Sequence, residues 1–257
     1  MAALYRGMDR PTLDAAYNNS AAVADSSRIV ADWQARSDVV RKSSRELRYG
    51  SAERNRIDTF EAAPGAPLLV FIHGGYWQMR AKENFAFLAA GALAHGISVA
   101  LVGYTLAPQQ RLDGIVAEIR AALDFIDREC VVSGWSAGGH LTAMVMDHRR
   151  VRGGLAISGI YDLEPIRLCY LNEKLGLDVA EARRNSPLHR PPSGKPLVLA
   201  HGTGELPELQ RQSVDYAKAA RGAQLRPLGG HNHFTILEEL ASPNGALTGM
   251  VRTLLDA

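Results

Sequence analysis

From Leu68 onward, short and almost unbroken apolar runs alternate with longer amphipathic stretches, and this rhythm restricts the fold more than any other feature of the chain. Leu68–Ile72, Ile97–Val102, Cys130–Trp135, Val151–Ser158 and Pro196–His201 are the runs. A strand with one wet face alternates apolar and polar side chains. One covered on both faces has no reason to, and crossover helices cover parallel strands in that way. Helices are predicted between the runs at Lys82–His95, Leu112–Glu129, Ala137–His148 and Pro207–Arg221, with a last one over Phe234–Leu255 broken near Ser242–Gly245. In Leu112–Glu129 the apolar residues Leu112, Ile115, Val116, Ile119, Leu123 and Ile126 keep the three-to-four spacing of a one-sided helix. The expected class is α/β, a mostly parallel sheet with helices on both faces.

The edges of that sheet are legible too. Arg45–Tyr49 and Arg54–Glu61 read as an antiparallel pair joined at Gly50-Ser51, and Gln224–Gly229 as a last strand, giving eight in all. Pro227 suits an edge position, where a missing N–H costs least. Residues 162–193 break the rhythm; they carry Pro165, Pro187, Pro191 and Pro192 and are expected to form a short cap-like insertion over the C-terminal edge of the sheet. Residues 1–44 form an N-terminal helical segment, with a helix at Asp25–Arg36 that can pack against the same opening. Together these elements use all 257 residues as one domain.

Charge and cysteine usage narrow the function classes. A formal net charge of +2 lacks the strongly basic footprint of a nucleic-acid binder. The local excess of Arg and Lys in Arg36–Arg56 reads as a solvated face. Neither an apolar run long enough to cross a membrane nor the apolar core of a signal peptide occurs, so a cytoplasmic protein is expected. Two cysteines, Cys130 and Cys169, cannot build a disulfide framework. The expected partner is a small-molecule substrate, with no nucleic acid and no membrane; a homodimer is left open.

The chemistry begins at Val131-Val-Ser-Gly-Trp-Ser-Ala-Gly-Gly-His140, a buried strand running through Gly134-x-Ser136-x-Gly138 into a helix. A sharp strand-to-helix turn holds the Ser136 hydroxyl clear of the backbone at a helix N-terminus, where developing negative charge is favoured. One strand earlier, Leu68–Ile72 runs into His73-Gly74-Gly75-Tyr76-Trp77. Such a loop leaves N–H groups of Gly75 and Tyr76 free; with Ala137 they make an oxyanion hole for acyl transfer. His73 reads as an anchor of this loop rather than a base. Glu205 follows the strand Pro196–His201, and His233 follows the last strand, so Ser136, Glu205 and His233 stand in the order nucleophile, acid, base. Asp162 and then Glu208 compete for the acid role and His231 for the base. His231-x-His233 lacks further ligands at metal-binding spacing, so neither metal nor organic cofactor is expected.

These motifs resemble the kynurenine formamidase (arylformamidase) branch of the α/β-hydrolases, close to the hormone-sensitive-lipase-like esterases. His73-Gly-Gly-Tyr-Trp-Gln78 is similar to the formamidases' HGGYWQ. Gly103-Tyr-Thr-Leu-Ala-Pro108 resembles the esterases' NYRLAP, and Ser158–Pro165 and His231–Phe234 match further pieces. A departure is Glu205, where the animal formamidases have Asp. The resemblance spans about residue 17 to the C-terminus. It implies an α/β-hydrolase fold and a serine hydrolase that cleaves an aryl formamide or a related small amide or ester, N-formylkynurenine-like, through an acyl-enzyme. A carboxylesterase for short-chain or aryl esters is the alternative, and a hydrolase-like fold kept only for ligand binding a third. Tyr76, Trp77, Tyr104, Trp135 and Tyr161 are candidates for an aromatic substrate slot, with Tyr170 in the cap nearby.

Overall fold

The computed structural model describes residues 3–190 and 194–256. Eight strands form one sheet in the order β1-β2-β4-β3-β5-β6-β7-β8, with β1 Arg45–Arg48, β2 Arg56–Phe60, β3 Leu68–Ile72, β4 Ser98–Val102, β5 Cys130–Trp135, β6 Val151–Ile157, β7 Leu197–Gly202 and β8 Ala223–Leu228. β1 pairs antiparallel with β2 and β2 with β4, whereas all other pairs are parallel. Pro227 sits on the edge strand β8, as its missing N–H requires. The chain enters at the antiparallel edge and returns at β4, so β3 and β5 lie side by side at the centre of the sheet. Each ends in a loop with a proposed chemical role.

The period-two pleat divides the core between two layers. Leu68, Val70 and Ile72 of β3 point into one apolar cluster and Leu69 and Phe71 into the other. In chain order the helices are α1 Arg10–Ala16, α2 Asn19–Ala22, α3 Ser26–Val40, α4 Ala89–Leu93, α5 Leu112–Ile126, α6 Ala137–Met144, α7 Glu164–Leu168, α8 Asn172–Leu175, α9 Val179–Arg184, α10 Pro207–Ala219, α11 Glu238–Ala241 and α12 Ala246–Asp256. The first layer takes α5, α6 and α10; the second takes α3, α4, α11 and α12. Every strand and helix expected from the sequence is present, with ends shifted by a few residues. The exception in kind is Lys82–His95, which is 3₁₀ over Lys82–Leu88 before α4. Phe85, Ala86, Phe87 and Leu88 are all buried in succession, which a one-sided α-helix cannot provide.

Residues 162–190 form α7, α8, α9 and a single 3₁₀ turn, Pro187–His189; Pro191, Pro192 and Ser193 of the expected cap fall outside the described residues, as do Met1, Ala2 and Ala257. Pro165 and Pro187 sit in first turns, where proline is compatible with a helix. Trp33 of α3 is fully buried against Phe85, Phe87, Trp135 and Phe234, with ring centroids 5.5–5.9 Å apart. This contact fastens the N-terminal segment to the sheet and to the loop that carries His233. No helix among the described residues is long and apolar enough to cross a membrane.

Candidate active site

The turn between β5 and α6 is a single residue. Ser136 adopts φ 57° and ψ −116°, a conformation that costs a non-glycine residue of order 1–3 kcal/mol and persists only where the surroundings impose it. What imposes it is close backbone packing: a Cβ on Gly138 would lie 1.9 Å from the Ile72 carbonyl oxygen, and one on Gly134 2.2 Å from that of Gly138. The Ser136 N–H donates to the Ile157 carbonyl at 2.8 Å, tying the turn to β6. The serine lines a narrow cleft with His233.

Glu205 stands just past β7 and is almost fully buried. Its Oε2 accepts a hydrogen bond from His233 Nδ1–H at 2.9 Å. Its Oε1 accepts from the Ser158 hydroxyl at 2.6 Å and the Gly202 N–H at 2.7 Å. Burial alone would raise the carboxyl pKa; the donors from His233, Ser158 and Gly202 outweigh it, so Glu205 is held below its ordinary value as a carboxylate. With Nδ1–H committed to Glu205, Nε2 of His233 carries the lone pair that a general base needs. The His233 carbonyl accepts from Trp135 Nε1–H at 2.8 Å, and Asn232 Oδ1 caps the N–H groups of Phe234 and Thr235 at 2.9 Å. Backbone and ring are thus both fixed before any ligand arrives.

The competitors are placed elsewhere. His231 Nε2 faces Glu239 at 3.3 Å. Asp162 accepts from the Tyr5 hydroxyl at 2.7 Å and caps α7 through the Glu164 N–H at 3.0 Å. Glu208 is bound to Arg211 at 2.7 Å and to the Tyr17 hydroxyl at 3.2 Å. Of the three candidate carboxylates, Glu205 alone reaches His233.

The β3 loop supplies the opposite wall. Gly75, Tyr76 and Trp77 have φ of 112°, 49° and 58°, a left-handed run that turns successive N–H groups in one direction. At Gly75 a Cβ would sit 2.2 Å from the Met79 carbonyl oxygen, because Gly75 O accepts the N–H groups of Gln78 and Met79 at 3.0 Å. No protein acceptor among the described residues takes the N–H of Gly75, Tyr76 or Ala137. His73 is the anchor expected: its Nδ1–H donates to Gly74 O at 2.8 Å and its ring stacks on Tyr104 at 4.2 Å. Burial drives its pKa down to about 3, so it stays neutral.

Of the five aromatic candidates, Tyr76 and Trp135 line the cleft. The other three require correction. Tyr104 is fully buried and uses its hydroxyl on the His73 carbonyl at 3.0 Å. Trp77 packs edge-on against His140 at 5.0 Å, and Tyr161 stacks on Tyr216 at 4.5 Å; both are fully buried and outside the cleft lining. Position at a strand end was too coarse a signal, since the side chain beyond a tip can turn either into the cleft or under it. Asn19, Ser20, Met79 and Arg80 line the cleft without having been singled out. Asn19 Nδ2 donates to the Tyr76 hydroxyl at 2.9 Å, and that hydroxyl donates to Tyr17 O at 2.6 Å, so α2 closes over the opening. The cavity left between these walls is about 30 Å³, room for a group of a few heavy atoms.

Comparison with known proteins follows this geometry. Residues 69–225 match the alpha/beta hydrolase fold family. A kynurenine formamidase from Danio rerio is 31% identical over 237 residues, covering 82% of this chain and 81% of the relative. One from Drosophila melanogaster is 27% identical, covering 81% and 80%. Among solved structures, one from Silicibacter sp. TM1040, provisionally described as a thioesterase, superposes with a TM-score of 0.88 at 30% identity, covering 93% of this chain and 98% of that one. An esterase from Pyrobaculum calidifontis gives 0.71 at 17% identity, covering 90% and 93%, and shares the fold.

Proposed function

We propose that this chain, which belongs to the alpha/beta hydrolase fold family, is an arylformamidase that cleaves an N-formylated arylamine such as N-formylkynurenine. The observation that carries the reading is the narrow cleft at Ser136, walled by Tyr76, Trp135 and His233, which favours a small acyl group on the serine. The kinship to kynurenine formamidases supports it.

In this mechanism Ser136 Oγ attacks the formyl carbon while His233 Nε2 takes its proton. The carbonyl oxygen becomes an oxyanion held by the N–H groups of Gly75, Tyr76 and Ala137, donors already oriented and therefore free of reorganisation cost. Collapse of the tetrahedral intermediate breaks the C–N bond, and His233 returns the proton to the departing arylamine. Water, deprotonated by His233, then attacks the formyl-serine and releases formate and free Ser136. Glu205 holds the ring and stabilises the imidazolium through both steps. Cys130 and Cys169 are buried free thiols with pKa pushed up to about 12 and about 11 by burial, in keeping with a reducing cytoplasm and no part in the reaction.

The second reading, a short-chain esterase, uses the same residues. The two separate on acyl size and leaving group. The arylformamidase reading predicts kcat/KM for N-formylkynurenine above that for p-nitrophenyl acetate, with p-nitrophenyl butyrate at least tenfold below the acetate. Negligible turnover of N-formylkynurenine beside rapid hydrolysis of butyrate overturns it in favour of the esterase.

A further inference from the structure

Arg80 has no assigned role in the mechanism above, yet it lines the cleft that holds Ser136 and His233. Among the described residues it is the one Lys or Arg side chain withdrawn from full exposure that has no carboxylate or carbonyl partner; every other partly buried cation is engaged. Lys82, for instance, meets Asp58 at 2.6 Å, Arg211 meets Glu208 at 2.7 Å and Arg54 meets the Tyr104 carbonyl at 2.8 Å. None of its guanidinium nitrogens is sealed from solvent, so the charge is free to take a partner. Burial is also the sole cause acting on its pKa, which is lowered. The backbone that carries the side chain is held in place. Arg80 holds φ 69°, an unusual conformation for a residue with a Cβ, and its carbonyl is pinned by Arg54 Nη2 at 2.6 Å. Among the described residues no Asp or Glu lines the cleft and Arg80 is the permanently charged side chain there, so that charge is positive.

We propose that Arg80 is a specificity-determining residue that receives a carboxylate on the leaving-group half of the substrate, which makes the preferred substrates anionic aryl formamides or esters. A planar guanidinium fits a carboxylate in a two-point hydrogen-bonded pair, and a cleft free of acidic groups leaves no internal competitor. The inference rests on the arylformamidase reading for the formyl half alone; the charge requirement applies equally to an ester.

The test is kcat/KM for 2-, 3- and 4-formamidobenzoate against the matching formamidobenzamides, which are neutral and nearly isosteric. The wild-type protein is expected to favour the carboxylate in at least one pair by about 10- to 100-fold, the range of a charged hydrogen bond. Arg80→Gln is expected to collapse that ratio to near one, and Arg80→Lys to leave it intermediate. A wild-type ratio near one in all three pairs, or a ratio that survives in Arg80→Gln, overturns the proposal. The wild-type comparison needs no variant, so a poorly folding Arg80→Gln does not decide it. If formamides are not hydrolysed at all, the arylformamidase reading fails by itself. The acetoxybenzoates against the acetoxybenzamides then pose the same question to Arg80 with the same two outcomes.

Discussion

At the scale of single residues, the site is defined by what holds each group rather than by which groups are present. Glu205 is aligned by three donors, and two of them, Ser158 and Gly202, serve only to orient it on the histidine. Glu205→Gln keeps the shape but offers His233 an amide in place of a carboxylate, so it is expected to lower kcat on the order of 10³–10⁴-fold. Asp162→Asn, whose partners are Tyr5 and the start of α7, is expected to leave kcat within a fewfold. Steady-state kinetics of the two variants checks this; a loss of that size in Asp162→Asn alone would move the acid role to Asp162. Serine, acid and histidine were legible because each follows a recognisable strand in a fixed order. A place at the tip of β7 favours Glu205 over Asp162 and Glu208, but which carboxylate's loop turns toward His233 was not legible, because that is decided by contacts between distant segments.

At the scale of elements, the N-terminal segment is part of the site and not a leader to it. The chain from Asn19 Nδ2 through the Tyr76 hydroxyl to Tyr17 O ties α2 to the proposed oxyanion loop. Tyr76→Phe breaks both bonds and leaves Asn19, whose Oδ1 already lacks a partner, with a second buried polar atom unmet. The expected loss is about 1–3 kcal/mol in urea unfolding, together with faster proteolysis within α1 and α2. Unchanged stability and unchanged cleavage would show that the segment is held by Trp33 alone. The elements themselves were well marked in the sequence: β3 and β5 have the bounds that their apolar runs gave. What periodicity could not carry was contact between distant segments. Nothing local to Asn19 or Arg80 announces that the chain returns to Ser136, and the packing of Tyr104 under the β3 loop is decided by His73, thirty-one residues earlier.

At the scale of the whole molecule, buried histidines weaken the fold in acid, His73 and His140 most strongly. His73 and His140 are pushed down to about 3 and about 4 by burial, against 6.5 for an exposed imidazole. The unfolded chain therefore binds more protons than the folded one below pH 6.5, so stability is full above that pH and falls as pH drops toward 4. Each pH unit in that window removes on the order of 1 kcal/mol per histidine. The carboxylate Glu205, held below its ordinary pKa, adds a loss of the same sign at still lower pH, as it is protonated. Urea midpoints measured from pH 7 to pH 4.5 are expected to fall steadily, and a flat profile would mean that the two imidazoles are not buried neutral. The same whole-sheet arrangement delivers the chemistry: the loops after β3, β5 and β7 and the one after β8 meet at one edge, where serine, histidine, carboxylate and free N–H groups converge. The most direct test of that convergence is kcat/KM for N-formylkynurenine in the wild type and in Ser136→Ala. A fall on the order of 10⁵-fold is predicted, whereas a variant that keeps activity within tenfold of the wild type would contradict a mechanism built on Ser136.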